Sequence, residues 1–487
     1  MDKARLKLGW GAALATGAGL RLLFFFRLRT AASGDSWIYT ALARNLLAHH
    51  FYGYAGTPLQ PTLIRLPGYP LFLAACDALS GRFHPVFILW AQMTLDLLGC
   101  ALLGLLSASL AQRVAGAAET SGASPARVGL AAVWLAALCP FTANLTVVLL
   151  PESLSVFCVV TTLFALERWE ACCRQEKWSC RGEAGVWTAV IGCSLAWAVL
   201  LRPDQGLLAA VVLPAMLWVC WRTGARQGVG LMGRFWPATA AGLLFLLPLL
   251  AWGARNWRVF HVLQPLAPRY AQDPDEQPPF GFNRWYRSWA IEYKSNLDIY
   301  WRYDDDPIHM RDLPARAIDN PQQRRETQEV FDGYNQILTA TPELDAEFAR
   351  IANQRIATHP VRYYLGLPMA RELDMWLRPR LEFLAMPVDW WRFSLHPRQS
   401  AEEAAYALVN ALYLALALFG LLRWAQRRCL GGELMVFVML AFVALRIALL
   451  LTLDNSEPRY TLECFPVVIV LGAMALLPQT RPFSLKA

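Results

Sequence analysis

The sequence has little charge and none of the short motifs of nucleotide-using enzymes. Of its 487 residues, 17% are charged and only seven are histidine, whereas 56% are hydrophobic. It contains no glycine-rich phosphate loop and no G-x-G-x-x-G at a helix start, and no Ser-His-Asp or Cys-His arrangement stands out. An enzyme built on this chain must therefore use a substrate that is already activated.

Metal-site patterns are also lacking. None of the eleven cysteines forms the C-x-x-C pair typical of zinc sites, and most of them lie inside apolar runs. His49 and His50 are adjacent but have no third ligand at metal spacing. The sequence therefore identifies no cofactor and no metal site. A divalent metal is compatible with it, but the pattern does not indicate one.

The apolar composition instead predicts an all-α polytopic membrane protein. About ten segments are suitable as spans, and they start near Leu8, Val86, Arg127, Pro151, Val186, Gln205, Phe235, Ala405, Leu434 and Tyr460. Basic residues such as Arg113, Arg222 and Arg423 lie in alternate short loops, which places those loops and both termini in the cytoplasm. The net charge of +8 is therefore explained by the basic residues of the cytoplasmic loops, and nucleic acid is not expected as a partner. The expected location is the plasma (inner) membrane.

The same topology gathers charged residues at the outer ends of the spans. Acidic and basic side chains there are Asp35, Glu152, Asp204, Asp454, Glu457, Arg65, Arg202, Arg255 and Arg459. Charges at a membrane boundary are costly unless they are solvated or paired. We therefore expect an outer vestibule in which several of them meet.

The most informative stretch is the outer loop 30–70. Asp35 begins it, and Ile38, Leu42 and Leu46 then recur at the spacing of an amphipathic helix lying in the membrane interface. The stretch ends on Arg65-Leu66-Pro67-Gly68, which predicts a stiff turn back towards the membrane. This combination of an acid, an interfacial helix and a basic turn is suited to chemistry on a lipid headgroup.

Each candidate also has a plain structural explanation. Asp35 is suited to capping a helix and Glu152 to the first turn of one. Arg202-Pro203-Asp204 is equally consistent with a local turn that contains an ion pair. Arg255 is equally consistent with an anchor at the membrane interface. Arg459 and Tyr460 together are explained by an arginine whose head reaches the interface beside a belt aromatic. The sequence leaves these alternatives open.

The predicted spans and loops divide the chain into three segments. Residues 1–254 form an N-terminal transmembrane catalytic module, and residues 403–487 form C-terminal transmembrane helices. Between them, residues 255–402 form a small helical extracytoplasmic domain. Its clearest helix is predicted over 342–358, where Leu344, Phe348, Ile351, Ala352 and Ile356 make one apolar stripe.

Six short motifs, in order, resemble the GT-C class of polytopic glycosyltransferases, specifically the protein O-mannosyltransferase and aminoarabinose transferase group. They are GDSWIYTALARNLL, RLPGYPLFLA, LLPESLSVF, LRPDQGLL, ARNWRVFHVLQPL and EPRYTLECFPVVIVLGA. Unlike the eukaryotic protein mannosyltransferases, the chain places a helical insertion rather than a β-trefoil on its outer side. This departure leaves the acceptor undefined.

The resemblance implies a glycosyltransferase, hexosyl or pentosyl, that uses a polyprenyl-phosphate sugar and inverts the anomeric centre. Asp35 would be the catalytic acid or base, and Glu152, the second catalytic residue, would help to position the acceptor or the donor. Residues implied to bind the lipid phosphate or the sugar are Arg65, Arg202, Asp204, Arg255, Arg459, Tyr39, Tyr69 and Tyr460. The other partners would be membrane lipids and a lipid, glycan or protein acceptor on the extracytoplasmic side.

Two other functions stay open. A transporter or flippase of a lipid-linked sugar would place charges at mid-membrane and show paired halves of similar hydropathy. A non-catalytic assembly subunit would use the outer domain to bind a partner. Asp35 discriminates between these functions and the enzyme, because only the enzyme depends on its carboxylate for activity.

Overall fold

The computed structural model describes residues 3–28, 34–56, 58–81, 84–115, 125–174, 182–380, 382, 384, 386–426 and 432–477. The first residues of the predicted outer loop and the C-terminal end thus lie outside the described residues. The chain divides into two compact units. The first comprises Met1–Pro274, Leu412–Ala444 and Leu462–Ala487, and the second comprises Asp275–Ala411 and Leu445–Thr461. The predicted division into three segments stays a prediction.

The first unit is a bundle of long apolar helices. Its N-terminal elements are α1 (Lys3–Leu28), α2 (Gly34–His49), β1 (Gly53–Tyr54), β2 (Gln60–Pro61), α3 (Gly68–Ser80), α4 (Pro85–Ala115), α5 (Pro125–Leu138) and α6 (Pro140–Leu145). They are followed by α7 (Glu152–Arg174), α8 (Glu183–Leu201), α9 (Gly206–Arg226) and α10 (Leu231–Phe260). Towards the C-terminus of the chain come α16 (Pro397–Gln426), α17 (Glu433–Leu450) and α18 (Phe465–Ala473). The first unit contains α16 from Leu412 onward, α17 up to Ala444 and all of α18.

A multi-pass membrane protein is confirmed. Among the described residues, eight helices are long and apolar enough to cross a membrane: Ala4–Leu28, Pro85–Val114, Glu183–Leu201, Pro203–Arg226, Leu231–Phe260, Pro397–Gln426, Glu433–Leu450 and Pro458–Leu476. The two other predicted spans are also helices. However, α5 has only 14 residues, and α7 carries Glu152, Glu167 and Glu170.

The second unit is helical, as predicted. Its elements are α11 (Phe280–Arg287), α12 (Tyr293–Ser295), α13 (Pro321–Ile337), α14 (Pro342–Thr358) and α15 (Leu367–Leu377). The predicted stripe on α14 is confirmed, since Phe348, Ile351 and Ala352 are fully buried. Aromatic rings fill this core, and Phe282 stacks on Tyr303 with 3.8 Å between ring centroids. The unit therefore has a hydrophobic core of its own.

The segment that leads to the site is the loop from α2 to α3. The helix predicted after Asp35 is confirmed as α2, with Leu42 buried and Ile38 partly buried. Asn45 is also buried, and its amide donates to the carbonyl of Gly53 at 2.7 Å. This bond ties the end of α2 to the antiparallel β1–β2 hairpin and so fixes where the chain turns back.

Deep in the bundle lies an ion pair that the sequence reading did not single out. Arg21 on α1 is fully buried and donates from Nε to Asp96 on α4 at 2.6 Å. The same guanidinium donates to the carbonyls of Gly17 and Ala137 at 2.8 and 3.0 Å. A buried charge with this many partners is satisfied, and the pair joins α1, α4 and α5.

Candidate active site

Asp35 and Arg65 form the first part of the site. Asp35 lies in the first turn of α2, and Arg65 lies in the turn before α3. Nη2 of Arg65 donates to Oδ1 of Asp35 at 2.7 Å. The side chain of Arg65 is 22% exposed and that of Asp35 is 29% exposed, so solvent or a substrate reaches the pair. Of the charged side chains in the site, Asp35 is the most accessible carboxylate.

The backbone that carries Arg65 is held by α10 and by the segment after it. Nη1 of Arg255 donates to the carbonyl of Thr62 at 2.9 Å, and its Nη2 donates to that of Tyr52 at 2.7 Å. Asp273 accepts from the amide of Leu63 at 2.9 Å. These bonds hold the loop from both sides. In this structure Arg255 therefore positions the loop, and its predicted contact with a phosphate stays a prediction.

Aromatic rings enclose the Arg255 guanidinium. Its Cζ lies 4.9 Å from the ring centroid of Trp252, 5.3 Å from that of Phe260 and 5.6 Å from that of Tyr52. Tyr52 also packs edge-to-face on Trp252 at 5.0 Å, and its hydroxyl donates to the carbonyl of Arg65 at 3.1 Å. Cation–π contacts and this hydrogen bond therefore stiffen the turn on which Arg65 sits.

Arg202 is the centre of the second part of the site. It caps α8, and Nη1 donates to Oε1 of Glu152 at the start of α7 at 3.0 Å. Its Nε lies 3.2 Å from Oδ1 of Asp204 and 3.2 Å from Oε1 of Glu463. Glu463 is fully buried and the side chain of Glu152 is 3% exposed. One guanidinium thus neutralises part of a group of three carboxylates.

Tyr39 lies one helical turn after Asp35 on α2 and is buried. Burial raises the pKa of its phenol to about 12, and four charges also act on it: Arg65 lowers it, Asp35 and Glu152 raise it, and Arg202 lowers it. The close approach of Gly68 to the backbone of Leu200 places the turn that carries Arg65 beside the end of α8 that carries Arg202. The predicted contacts of these residues with a substrate stay a prediction.

Tyr69 lies behind Tyr39 and links the site to the bundle. The rings meet edge-to-face with centroids 5.1 Å apart. The hydroxyl of Tyr69 donates to Oε1 of Gln92 at 2.7 Å, and Nε2 of Gln92 donates to the carbonyls of Thr146 and Val148 at 3.1 and 2.9 Å. This chain of bonds positions the turn that leads into Glu152. Burial raises the pKa of Tyr69 well above its usual value, so it acts as a hydroxyl donor.

The two remaining predicted residues belong to the second unit. Arg459 pairs through Nε with Glu457, and the hydroxyl of Tyr460 donates to Oε1 of Glu457 at 2.9 Å. The guanidinium of Arg459 lies 5.8 Å from the ring centroid of Tyr460. Their predicted contact with a substrate stays a prediction.

Sequence reasoning missed three buried residues of the first unit. Glu463 lies in the motif EPRYTLECF, and an acid inside a predicted span was a usable signal. Gln92 and Gln205 are also fully buried, and neither gave a local signal. Gln205 directly follows Arg202-Pro203-Asp204, and in the described part of the chain its side-chain amide has no hydrogen-bond partner. An unsatisfied buried amide beside the site is suited to receive a polar group of a substrate.

Within the described ranges, no three or more His, Cys, Asp or Glu side chains are placed so that they hold a metal ion. Around Arg202 the guanidinium itself occupies the space between the carboxylates.

No protein-family model and no curated protein matches the sequence. Among solved structures, the chain is similar to the oligosaccharyltransferase AglB of Archaeoglobus fulgidus, in a complex with an inhibitory peptide and a dolichol-phosphate. The identity is 12%, the TM-score is 0.48, and the match covers 97% of this chain and 50% of AglB. It is also similar to apo ArnT of Cupriavidus metallidurans, with 13% identity, a TM-score of 0.30, and coverage of 97% and 76%.

These neighbours are GT-C glycosyltransferases. That is the class which the six sequence motifs resemble. The chain spans about half the length of AglB. At these identities and TM-scores, the likeness carries nothing about the activity of this chain, which has to be inferred from its own side chains.

Gly68 provides a test of how tightly the two parts of the site are built together. A Cβ at Gly68 would lie 2.5 Å from the backbone carbon and oxygen of Leu200, two residues before Arg202. Because backbone cannot move aside cheaply, we expect Gly68→Ala to lower stability by about 1–3 kcal/mol and to displace Arg202. The measurements are thermal unfolding in detergent and transfer activity.

Gly206 is the matched control for this test. It lies at the start of α9, and a Cβ there would meet only Val199 at 3.9 Å. Gly206→Ala should therefore be neutral or stabilising by up to about 1 kcal/mol. Equal behaviour of the two variants would show that the Gly68 contact does not hold the site.

Proposed function

We propose that this protein is a glycosyltransferase that moves a sugar from a polyprenyl-phosphate carrier to an acceptor at the extracytoplasmic membrane face. The observation that carries the proposal is that two ion pairs, Asp35–Arg65 and Glu152–Arg202, lie near each other, because Gly68 packs closely on the backbone of Leu200. An accessible carboxylate beside a guanidinium supplies both groups that the reaction needs. One accepts a proton, and the other binds a phosphate.

The reaction that we propose is a single displacement. The carboxylate of Asp35 takes the proton from an acceptor hydroxyl, and the acceptor oxygen forms a bond to the anomeric carbon. The bond between that carbon and the carrier's phosphate oxygen breaks, and polyprenyl phosphate leaves with the electron pair. Attack from the side opposite the leaving group inverts the anomeric centre.

The charge of the site fits this chemistry. The carboxylates of Asp35, Glu152, Asp204 and Glu463 surround the guanidiniums of Arg65 and Arg202, which leaves a net charge of minus two when all are ionised. Glycosyl transfer passes through a transition state with positive charge on the sugar ring. An excess of fixed carboxylates stabilises that charge, and Arg65, the more exposed guanidinium, is placed to meet the leaving phosphate.

The distribution of arginines supports the proposed orientation. Helix α7 runs from Glu152 to Arg174, which is about 34 Å at the helical rise. Arg113, Arg174, Arg222 and Arg226 are at the far end of α4, α7 and α9 from the site. Since basic residues favour the cytoplasmic side, this end is assigned to the cytoplasm and the site to the opposite face.

The transport alternative is less well supported. The Arg21–Asp96 pair is a mid-span charge of the kind that a transporter uses. However, the cavity beside Asp96 and Cys100 has a volume of about 20 Å³, enough for roughly one water molecule. A lipid-linked sugar does not fit there, so the pair serves the packing of the bundle.

The test is a donor panel. Purified full-length protein in liposomes is given polyprenyl-phosphate hexoses and pentoses and, as a contrasting arm, polyprenyl-diphosphate sugars, each with a set of hydroxyl acceptors. We expect release of polyprenyl phosphate with at least one donor, measured by chromatography. Release of polyprenyl diphosphate instead would overturn the proposed carrier. Movement of an intact lipid-linked sugar across the liposome without release would favour the flippase.

A further inference from the structure

A second cavity runs along α9 to the end of the bundle that is remote from Asp35 and Glu152. It is a groove of about 920 Å³ between α9, α17 and the end of α7. On α9 it is lined by Ala210, Pro214, Trp218, Arg222 and Arg226, each four residues after the last. This spacing puts all five on one helix face, apolar along most of its length and basic at its end.

The apolar wall of this groove is open to the side. Trp218 on α9 is 50% exposed and Phe437 on α17 is 66% exposed, although both lie in helices apolar enough to span a membrane. From Ala210 to Arg222 the axial rise is about 18 Å. The hydrocarbon of one leaflet is about 15 Å thick. The groove is thus as deep as the acyl region of a single leaflet.

The basic end of the groove is lined by three arginines and two carboxylates, which are Arg174, Arg222, Arg226, Glu170 and Glu433. Arg174 is paired with Glu170 at 2.6 Å, and Glu170 also accepts from Arg113 at 2.5 Å. By contrast, no carboxylate pairs with Arg222 or Arg226 in the described part of the chain. Two guanidiniums one helical turn apart are placed to share one phosphate, because each offers parallel N–H donors to its oxygens.

We propose that this groove binds one anionic diacyl phospholipid, with its phosphate on Arg222 and Arg226 and its acyl chains along Ala210, Pro214, Trp218 and Phe437. The match between groove depth and a single leaflet favours a diacyl lipid over a longer polyprenyl chain. A zwitterionic lipid brings a second, positive group to the arginines and should bind more weakly. The site is separate from the proposed transfer site and does not depend on it.

The experiment uses purified full-length protein in detergent and native mass spectrometry, with phosphatidylglycerol and phosphatidylcholine of equal acyl chains as probes. We expect one phosphatidylglycerol to be retained, and binding of it to weaken roughly tenfold or more in the double variant Arg222→Gln/Arg226→Gln. The matched control is Arg5→Gln/Arg127→Gln. It removes the same charge from the same end of the bundle outside the groove, and its binding should equal that of the wild type.

A second variant tests the acyl wall without touching the arginines. Ala210 is exposed in the groove, so Ala210→Trp fills it without disturbing the helix core, and phosphatidylglycerol binding should fall to a similar extent. Equal retention of the two probe lipids, or equal binding by the Arg222/Arg226 variant and its control, would overturn the proposal. It would also be overturned if polyprenyl phosphate displaced phosphatidylglycerol at lower concentration, since the groove would then be a carrier site.

Discussion

Replacing Asp35 with Asn should lower the rate of sugar transfer by about 10²- to 10⁴-fold, the usual contribution of a positioned general base. The amide keeps the size of the carboxylate and can still accept the 2.7 Å hydrogen bond from Arg65, so the fold should be unchanged. It cannot take a proton from the acceptor. Initial rates with the active donor and thermal unfolding in detergent measure the two properties separately.

Asp77→Asn is the matched control for this variant. Asp77 lies on α3, outside the ion pairs of the site, and the same loss of one carboxylate there should leave the rate unchanged. Donor binding should be measured alongside the rate. If Asp35→Asn retained more than about a tenth of the activity, less than the effect of a general base, Asp35 would not be the proton acceptor. If only donor binding fell, its role would be to position Arg65.

Replacing Arg202 with Met should destabilise the first unit more than any other single loss of charge in the site. The change leaves the carboxylates of Glu152 and Glu463, which are 3% and 0% exposed, without the guanidinium that neutralises them. Removing one partner of a buried ion pair typically costs about 3–5 kcal/mol, because the remaining charge is uncompensated. Unfolding of the purified protein in detergent measures this loss.

Arg168→Met is the control for that prediction. Arg168 lies 3.3 Å from Glu183, but the two side chains are 41% and 62% exposed. An exposed pair contributes at most about 1 kcal/mol. Adding Glu152→Gln to Arg202→Met should recover part of the loss, since one of the stranded charges is removed. If Arg202→Met were no worse than Arg168→Met, the three carboxylates would not depend on Arg202.

The contacts of Arg202 also indicate which arginine of the site binds the lipid phosphate in the proposed reaction. Arg202 already bonds to Glu152 and Asp204 and pairs with Glu463, and only 15% of its side chain is exposed. Releasing it for a lipid phosphate would strand buried carboxylates, which is costly. Arg65 makes one ion pair, with a partly exposed acid, and is freer to move. We therefore place the phosphate at Arg65 and give Arg202 the task of holding the acids.

Local sequence patterns predicted the elements that carry the site. The alternation of apolar runs and basic loops predicted a polytopic helical protein, and Asp35 followed by Ile38 and Leu42 predicted α2. The apolar stripe over 342–358 predicted α14 to the residue. These predictions hold because helix periodicity and the cost of charge in lipid act on neighbouring residues, so the signal is present in any short window of sequence.

The hydrogen-bond and ion-pair partners of each side chain could not be predicted from a short window of sequence. Arg202 and Glu463 are 261 positions apart, and Arg255 holds a loop that lies about 200 residues earlier. Gln92 gave no local pattern, and the charges of Arg21 and Asp96 inside two apolar runs did not show that they pair with each other. Hydrogen bonds and ion pairs act over about 3 Å, so their partners are decided only when the helices pack.

The sequence alone determined three features: the membrane spans, the helical second unit, and the set of acids and arginines at the span ends. It could do so because hydrophobicity and helix propensity are properties of consecutive residues. Tertiary structure decided which of those charges meet, which one stays accessible and which are neutralised internally. It did so because packing places distant residues at contact distance, and burial then makes every unpaired charge too costly to tolerate.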